Sequence, residues 1–77
     1  MSETTELDVR VIPPPQKHPT IHARLNELGR DESLTIVNDH DPRPLRFELE
    51  HDYPERYAWE YLQSGPEIWR VKITCRG

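Results

Sequence analysis

The chain of 77 residues is nearly without cysteine; Cys75 is the only one. A lone thiol closes no internal disulfide, which excludes a disulfide-stapled secreted scaffold. No apolar run approaches the ~20 residues a helix needs to cross a bilayer, so no membrane span is expected. A cationic excess is also missing. Against 14 Asp and Glu stand 10 Lys and Arg, a net charge of −4, and this argues against a general nucleic-acid binder. The start, Met1-Ser2-Glu3-Thr4-Thr5-Glu6, is polar and acidic and lacks the pattern of a signal peptide, so a cytoplasmic location is expected. Length allows one domain, and a chain of this size buries only about 60% of the surface its unfolded form exposes, so the core is small.

Proline is what the chain has in quantity, with 8 residues that punctuate it. Residues 1–5 are expected to be a disordered lead-in to a single domain over residues 6–75. Leu7, Val9 and Val11 alternate with Asp8 and Arg10, the period of a half-buried strand. Ile12-Pro13-Pro14-Pro15-Gln16-Lys17 stops that strand, because successive prolines supply no ladder donors. The run reads as a stiff extended loop, or else as a Pro-rich ligand for another domain. The first helix is expected to start at Pro19, whose missing N–H would be unpaired in a first turn anyway. Ile21, Leu25 and Leu28 form its apolar stripe, and Gly29 is placed to end it in a left-handed conformation.

Leu34, Ile36 and Val37 predict a second strand. Asp41 as N-cap and Pro42 as first residue predict a second helix. Leu45, Leu49 and Phe47 form its inner face, and it ends near His51-Asp52, ahead of Pro54. Tyr57, Trp59 and Tyr61 alternate with Ala58, Glu60 and Leu62; Trp69, Val71 and Ile73 alternate with Arg70, Lys72 and Thr74. Gln63-Ser64-Gly65-Pro66 is turn chemistry, so these two runs form an antiparallel hairpin. The order β-α-β-α-β-β, with a right-handed crossover between the first strands, predicts an α/β (α+β) two-layer sandwich: a four-stranded mixed sheet with two helices on one face.

If the first two strands are parallel neighbours, the turns that follow them reach one rim of the sheet, where ligands of open α/β sheets bind. His18 and His40 follow those strands. With Asp39 or Asp41, and with His22 four residues after His18, they make a nitrogen–oxygen set suited to a transition metal such as zinc or iron. Two helix N-termini at one rim, with Lys17 and Arg43, make an anion site the competing expectation. Backbone hydrogen bonding by the histidines and capping by Asp41 is the bland alternative. His51 reads as a dipole contact at a helix end. Trp59, Tyr61 and Trp69 read as core or, on the open side, as an apolar platform, with Trp59 and Trp69 a candidate cross-strand pair. Glu48, Glu50, Asp52 and Glu55 read as a solvated helix face.

Leu7-Asp8-Val9-Arg10, a loop, a residue before Pro19, and a helix closing at Leu25, Leu28 and Gly29 resemble the TusA-like and SirA-like sulfur-carrier superfamily. The resemblance implies its β-α-β-α-β-β sandwich. That family carries a persulfide on the cysteine of Cys-Pro-x-Pro. Here His18-Pro19-Thr20-Ile21 stands in that place, so the sulfur chemistry does not carry over. From Leu7 to Thr74 the chain resembles more closely an uncharacterised prokaryotic family. Its marks are His18-Pro19, Asn38-Asp39-His40-Asp41-Pro42-Arg43-Pro44-Leu45, Trp59-Glu60-Tyr61 and Gly65-Pro66-Glu67-Ile68-Trp69. Members of that family are often linked to hemerythrin-like domains, which implies a redox or iron–sulfur-related partner. The expected role is a small non-catalytic accessory or ligand- or metal-binding module. The alternative is a degenerate sulfur-transfer carrier using Cys75, or a small metal-dependent enzyme.

Overall fold

A computed structural model describes residues 5–76. Its elements are β1 (Thr5–Asp8), a 3₁₀ turn (Val9–Val11), α1 (Pro14–Asn26), β2 (Ser33–Asn38), α2 (Arg43–Asp52), β3 (Tyr57–Ser64) and β4 (Trp69–Cys75). The fold is the expected β-α-β-α-β-β arrangement, a four-stranded mixed sheet with two helices. The strand order is β1-β2-β4-β3. β1 and β2 run parallel, whereas β4 is antiparallel to both β2 and β3. Of the expected lead-in, residues 1–4 lie outside the described residues, and Thr5 pairs with Leu34 in the sheet.

The core forms on the helix side of the sheet. Leu34 faces Ile73 and Ile36 faces Val71 across the β2–β4 ladder, and Ile21, Leu25, Leu45 and Leu49 close over them. Each such fully buried aliphatic side chain contributes roughly 1.5–3 kcal/mol. The other side of β2 is covered differently. Ser33, Thr35 and Val37 alternate with Leu34 and Ile36 and are buried as well, and Ser33 Oγ lies 2.8 Å from Thr74 Oγ1 of β4. Arg70 of β4 reaches over β2 to Glu6 of β1, Nη1 to Oε2 at 2.9 Å.

Local chemistry moved several expected boundaries. β1 ends at Asp8, not Val11, because the Asp8 carboxylate accepts from the Arg10 backbone N–H (3.0 Å) and from its guanidinium (2.9 and 2.7 Å), curling the chain into the 3₁₀ turn. Val9 is therefore core while Val11 is exposed. α1 begins at Pro14, not Pro19. Pro14 and Pro15 occupy its first turn, where no N–H is needed, and Pro19 lies inside the helix. The expected stiff loop is thus largely helix. Gly29 is not the left-handed residue; Asp31 is, at φ 70°. The Glu32 carboxylate accepts from the Gly29 N–H, and the Glu32 N–H donates to the Gly29 carbonyl at 3.0 Å, closing this turn.

α2 starts at Arg43 with Pro42 before it and no side-chain cap, so Asp41 is free for another role. Phe47 is 61% exposed and is not on the inner face. It lies two residues, about 200° of helical rotation, from both Leu45 and Leu49. At the hairpin, Gly65 takes φ 69°, and a Cβ there would lie 2.8 Å from the Trp69 indole. Only glycine lets the turn lie against that ring.

Candidate functional site

β1 and β2 are parallel and adjacent, with Asp8 opposite Val37, so both strands end at the same rim. After β2 the chain bends at Asp39 and His40, and Asp41 and Pro42 then lead into α2. His40, Pro42 and Pro44 line one cleft, and Asp41 and Arg43 line another.

The rim cleft has a volume of about 130 Å³. Val9, Ile21, Ile36 and Leu45 form its apolar wall, and its polar lining is Lys17, His18, Asn38 and His40. No carboxylate of the described residues is among its lining side chains. His18 comes from the interior of α1, not from a helix start. The side chains of His18 and His40 are 62% and 65% exposed, so a solute reaches both. Asp39 stands beside His40, whose Nδ1–H donates to Asp39 Oδ1 at 2.7 Å. That hydrogen bond is the main reason the Asp39 carboxyl is held below its ordinary range. With Nδ1 engaged, Nε2 is the nitrogen left to meet a ligand. Buried Asn38 accepts the Asp39 backbone N–H on Oδ1 at 2.8 Å, which fixes the turn.

The remaining predicted residues go elsewhere. His22 turns to α2, where its Nε2 lies 2.7 Å from Glu48 Oε1; His18 Nε2 lies 3.5 Å from Glu48 Oε2. The two imidazoles meet edge to face at 5.8 Å, each facing its own carboxylate oxygen. Among the described residues, no group of three or more His, Cys, Asp or Glu could hold a metal ion. Lys17 and Arg43, expected to serve one anion, line different clefts. Cys75 is buried at 2% exposure. His51, in the last turn of α2, has Nδ1 3.0 Å from Oδ1 of its neighbour Asp52.

Glu48, expected on a solvated face, instead stands against the imidazoles of α1. The signal against the expectation was its position: three residues after Leu45 and one before Leu49, it flanks the buried stripe.

The second cleft, of about 510 Å³, lies between α2 and the hairpin. Phe47, Tyr61 and Trp69 supply its aromatic surface. Its polar wall is already paired internally. Tyr61 Oη donates to Asp41 Oδ1 at 2.9 Å, Arg43 lies 3.5 Å from Asp41, and Arg46 donates to Glu50 at 3.1 Å. Trp59 and Trp69 are not cross-strand partners, since Trp59 faces Ile73 and Trp69 faces Ser64. Tyr61 stands between the two indoles, at 6.0 and 6.3 Å, in edge contact with each. Asp41, Tyr61 and Trp69, from motifs far apart in the chain, are thereby brought to one place.

Residues 6–75 match the family described as "Uncharacterized conserved protein (DUF2249)", and the chain belongs to that family. No curated protein and no solved structure matches it.

Proposed function

We propose that this DUF2249 domain is a small, non-catalytic binding module that holds a small oxyanion or carboxylate between His18 and His40, and acts as an accessory to a redox or metalloprotein partner. The observation that carries the reading is the composition of the rim cleft. Its polar lining is a lysine, two imidazoles and an amide, without a carboxylate. Such a lining favours an acceptor-rich, negatively charged guest over a cation. The start of α2 adds to this, because its first turn contains no acid. The volume is below the ~300–1,000 Å³ of drug-sized sites, which points to an ion of few atoms. No Ser, Thr or Cys lines the cleft to act as a nucleophile. Kinship with the TusA-like carriers is proposed for the fold alone. His18 replaces the carrier cysteine, and buried Cys75 is not presented to a sulfur donor.

One observation favours a second reading. A carboxylate on Nδ1, as Asp39 is on His40, is how many proteins orient a metal-ligating imidazole. A zinc or iron ion would then take His18 and His40 from this chain and its other ligands from the partner. Titration calorimetry at pH 7 with inorganic phosphate, and separately with Zn²⁺, distinguishes the two. The anion reading expects wild type to bind phosphate, with His40→Ala and His18→Ala each weaker by about tenfold, the value of one charge-assisted hydrogen bond. Phosphate binding of equal strength in all three proteins, or none in wild type, overturns it. Zinc binding lost in both variants establishes the second reading instead.

A further inference from the structure

We propose that the free edge of β3 is a self-association surface, on which a second copy of this chain adds its own β3 antiparallel, about a two-fold axis at Trp59. The inference is independent of the rim cleft, which lies across the sheet beside β1.

The direction of the backbone groups comes first. The Arg76 N–H donates to the Arg56 carbonyl at 2.7 Å, one step beyond the Tyr57–Cys75 pair of the β3–β4 register. Inward and outward groups alternate in an antiparallel ladder, so Ala58 and Glu60 also turn their N–H and C=O toward β4. Tyr57, Trp59 and Tyr61 turn theirs away from it, and among the described residues no strand pairs with that side.

The two sheet edges are not alike. β1 has four residues, of which Glu6 and Asp8 are held in ion pairs. Short, charged edges of that kind resist pairing. β3 has eight residues, without lysine or proline, and Glu60 is its one charge. Its bulge falls after Tyr61, so the stretch from Tyr57 to Tyr61 stays regular.

Charge selects the register. Hydrogen-bonded pairs of the new ladder must come from the outward residues. Centring on Trp59 sets Trp59 against Trp59 and Tyr57 against Tyr61, with about six backbone hydrogen bonds, two per pair. On the other face Glu60 then lies opposite Ala58. Centring on Glu60 would set two carboxylates against each other, a destabilising pair. The Trp59 register therefore avoids opposing like charges, and it matches half-buried aromatic rings along the helix face. The product is one eight-stranded sheet.

Sedimentation velocity of the full chain from 10 µM to ~1 mM is the test, with hydrogen exchange as a second readout. A concentration-dependent dimer is expected, with the amides of Tyr57, Trp59 and Tyr61 gaining protection as it forms. Ala58→Glu places a carboxylate opposite Glu60 twice per dimer and should weaken association by about tenfold. Ala58→Lys should strengthen it, and Ala58→Glu combined with Glu60→Lys should restore it. Circular dichroism confirms that each variant is folded. A wild type that stays monomeric throughout, or Ala58→Glu and Ala58→Lys that associate alike, overturns the proposal, as does an edge that accepts only an unrelated extended peptide.

Discussion

The rim cleft and the cleft beside the hairpin share the Asp41-Pro42-Arg43 segment as their dividing wall. In the rim cleft, Lys17, His18, Asn38 and His40 form the polar lining, with no carboxylate of the described residues among it. In the larger cleft, Tyr61 and Arg43 contact Asp41, and Arg46 is paired with Glu50. Among the described residues the first wall carries no carboxylate, whereas the second sets Asp41 and Glu50 beside its cations. Volume alone would rank the two the other way, so the comparison teaches that the availability of polar groups, more than the space, marks the better candidate for an ionic guest.

The strongest way to separate the two clefts is Gly65→Ala. The added Cβ meets the Trp69 indole in a backbone conformation that L-residues disfavour. A loss of about 2–3 kcal/mol is expected by urea denaturation, with a changed tryptophan emission. Phosphate binding at the rim should not change; a parallel loss there would mean that the clefts are one unit. Next in size are His18→Ala and His40→Ala, each weakening phosphate by about tenfold, or about 1.4 kcal/mol, while leaving tryptophan emission as it was. Tyr61→Phe removes the hydroxyl that donates to Asp41 and should cost about 1 kcal/mol of stability. A neutral result would show that Arg43 alone holds Asp41.

The smallest effect is a pH dependence. The folded-state pKa of Asp39 is depressed by His40, so its contribution to stability is present above the ordinary carboxylate range and is lost as pH falls through the folded value. In His40→Ala, carboxyl NMR should find Asp39 titrating at higher pH. Asp8 is the reference, since Arg10 holds it at about 2. It should titrate there in wild type and in His40→Ala alike. A shift of both carboxyls would place the cause outside the local pair.

Much of the fold was legible because period and punctuation agree. Val71 and Ile73 alternate with Lys72 and Thr74, and Leu45 and Leu49 repeat at helical spacing. Both patterns follow from burying one face. Errors fell where a local hydrogen bond overrode the pattern. Asp8 capturing Arg10 ended β1, and prolines that resembled a break became the first turn of α1. The candidate site was legible in part. His18 and His40 were readable from the crossover rule, since parallel neighbours deliver their following segments to one rim. The pairing of Glu48 with His22 and the Tyr61–Asp41 contact were not, because a side chain's partner 20 or more residues away leaves no periodic trace.

The sequence by itself determined the element order, the mixed sheet and which faces are apolar, since these follow from local periodicity and from the few ways a strand–helix–strand unit can close. Only the tertiary structure decided how Asn38-Asp39-His40-Asp41-Pro42-Arg43 is divided. The segment bends after β2 and delivers His40 and Pro42 to one cleft and Asp41 and Arg43 to the other, and what each side offers depends on the α1 residues and the hairpin residues that the fold has carried there.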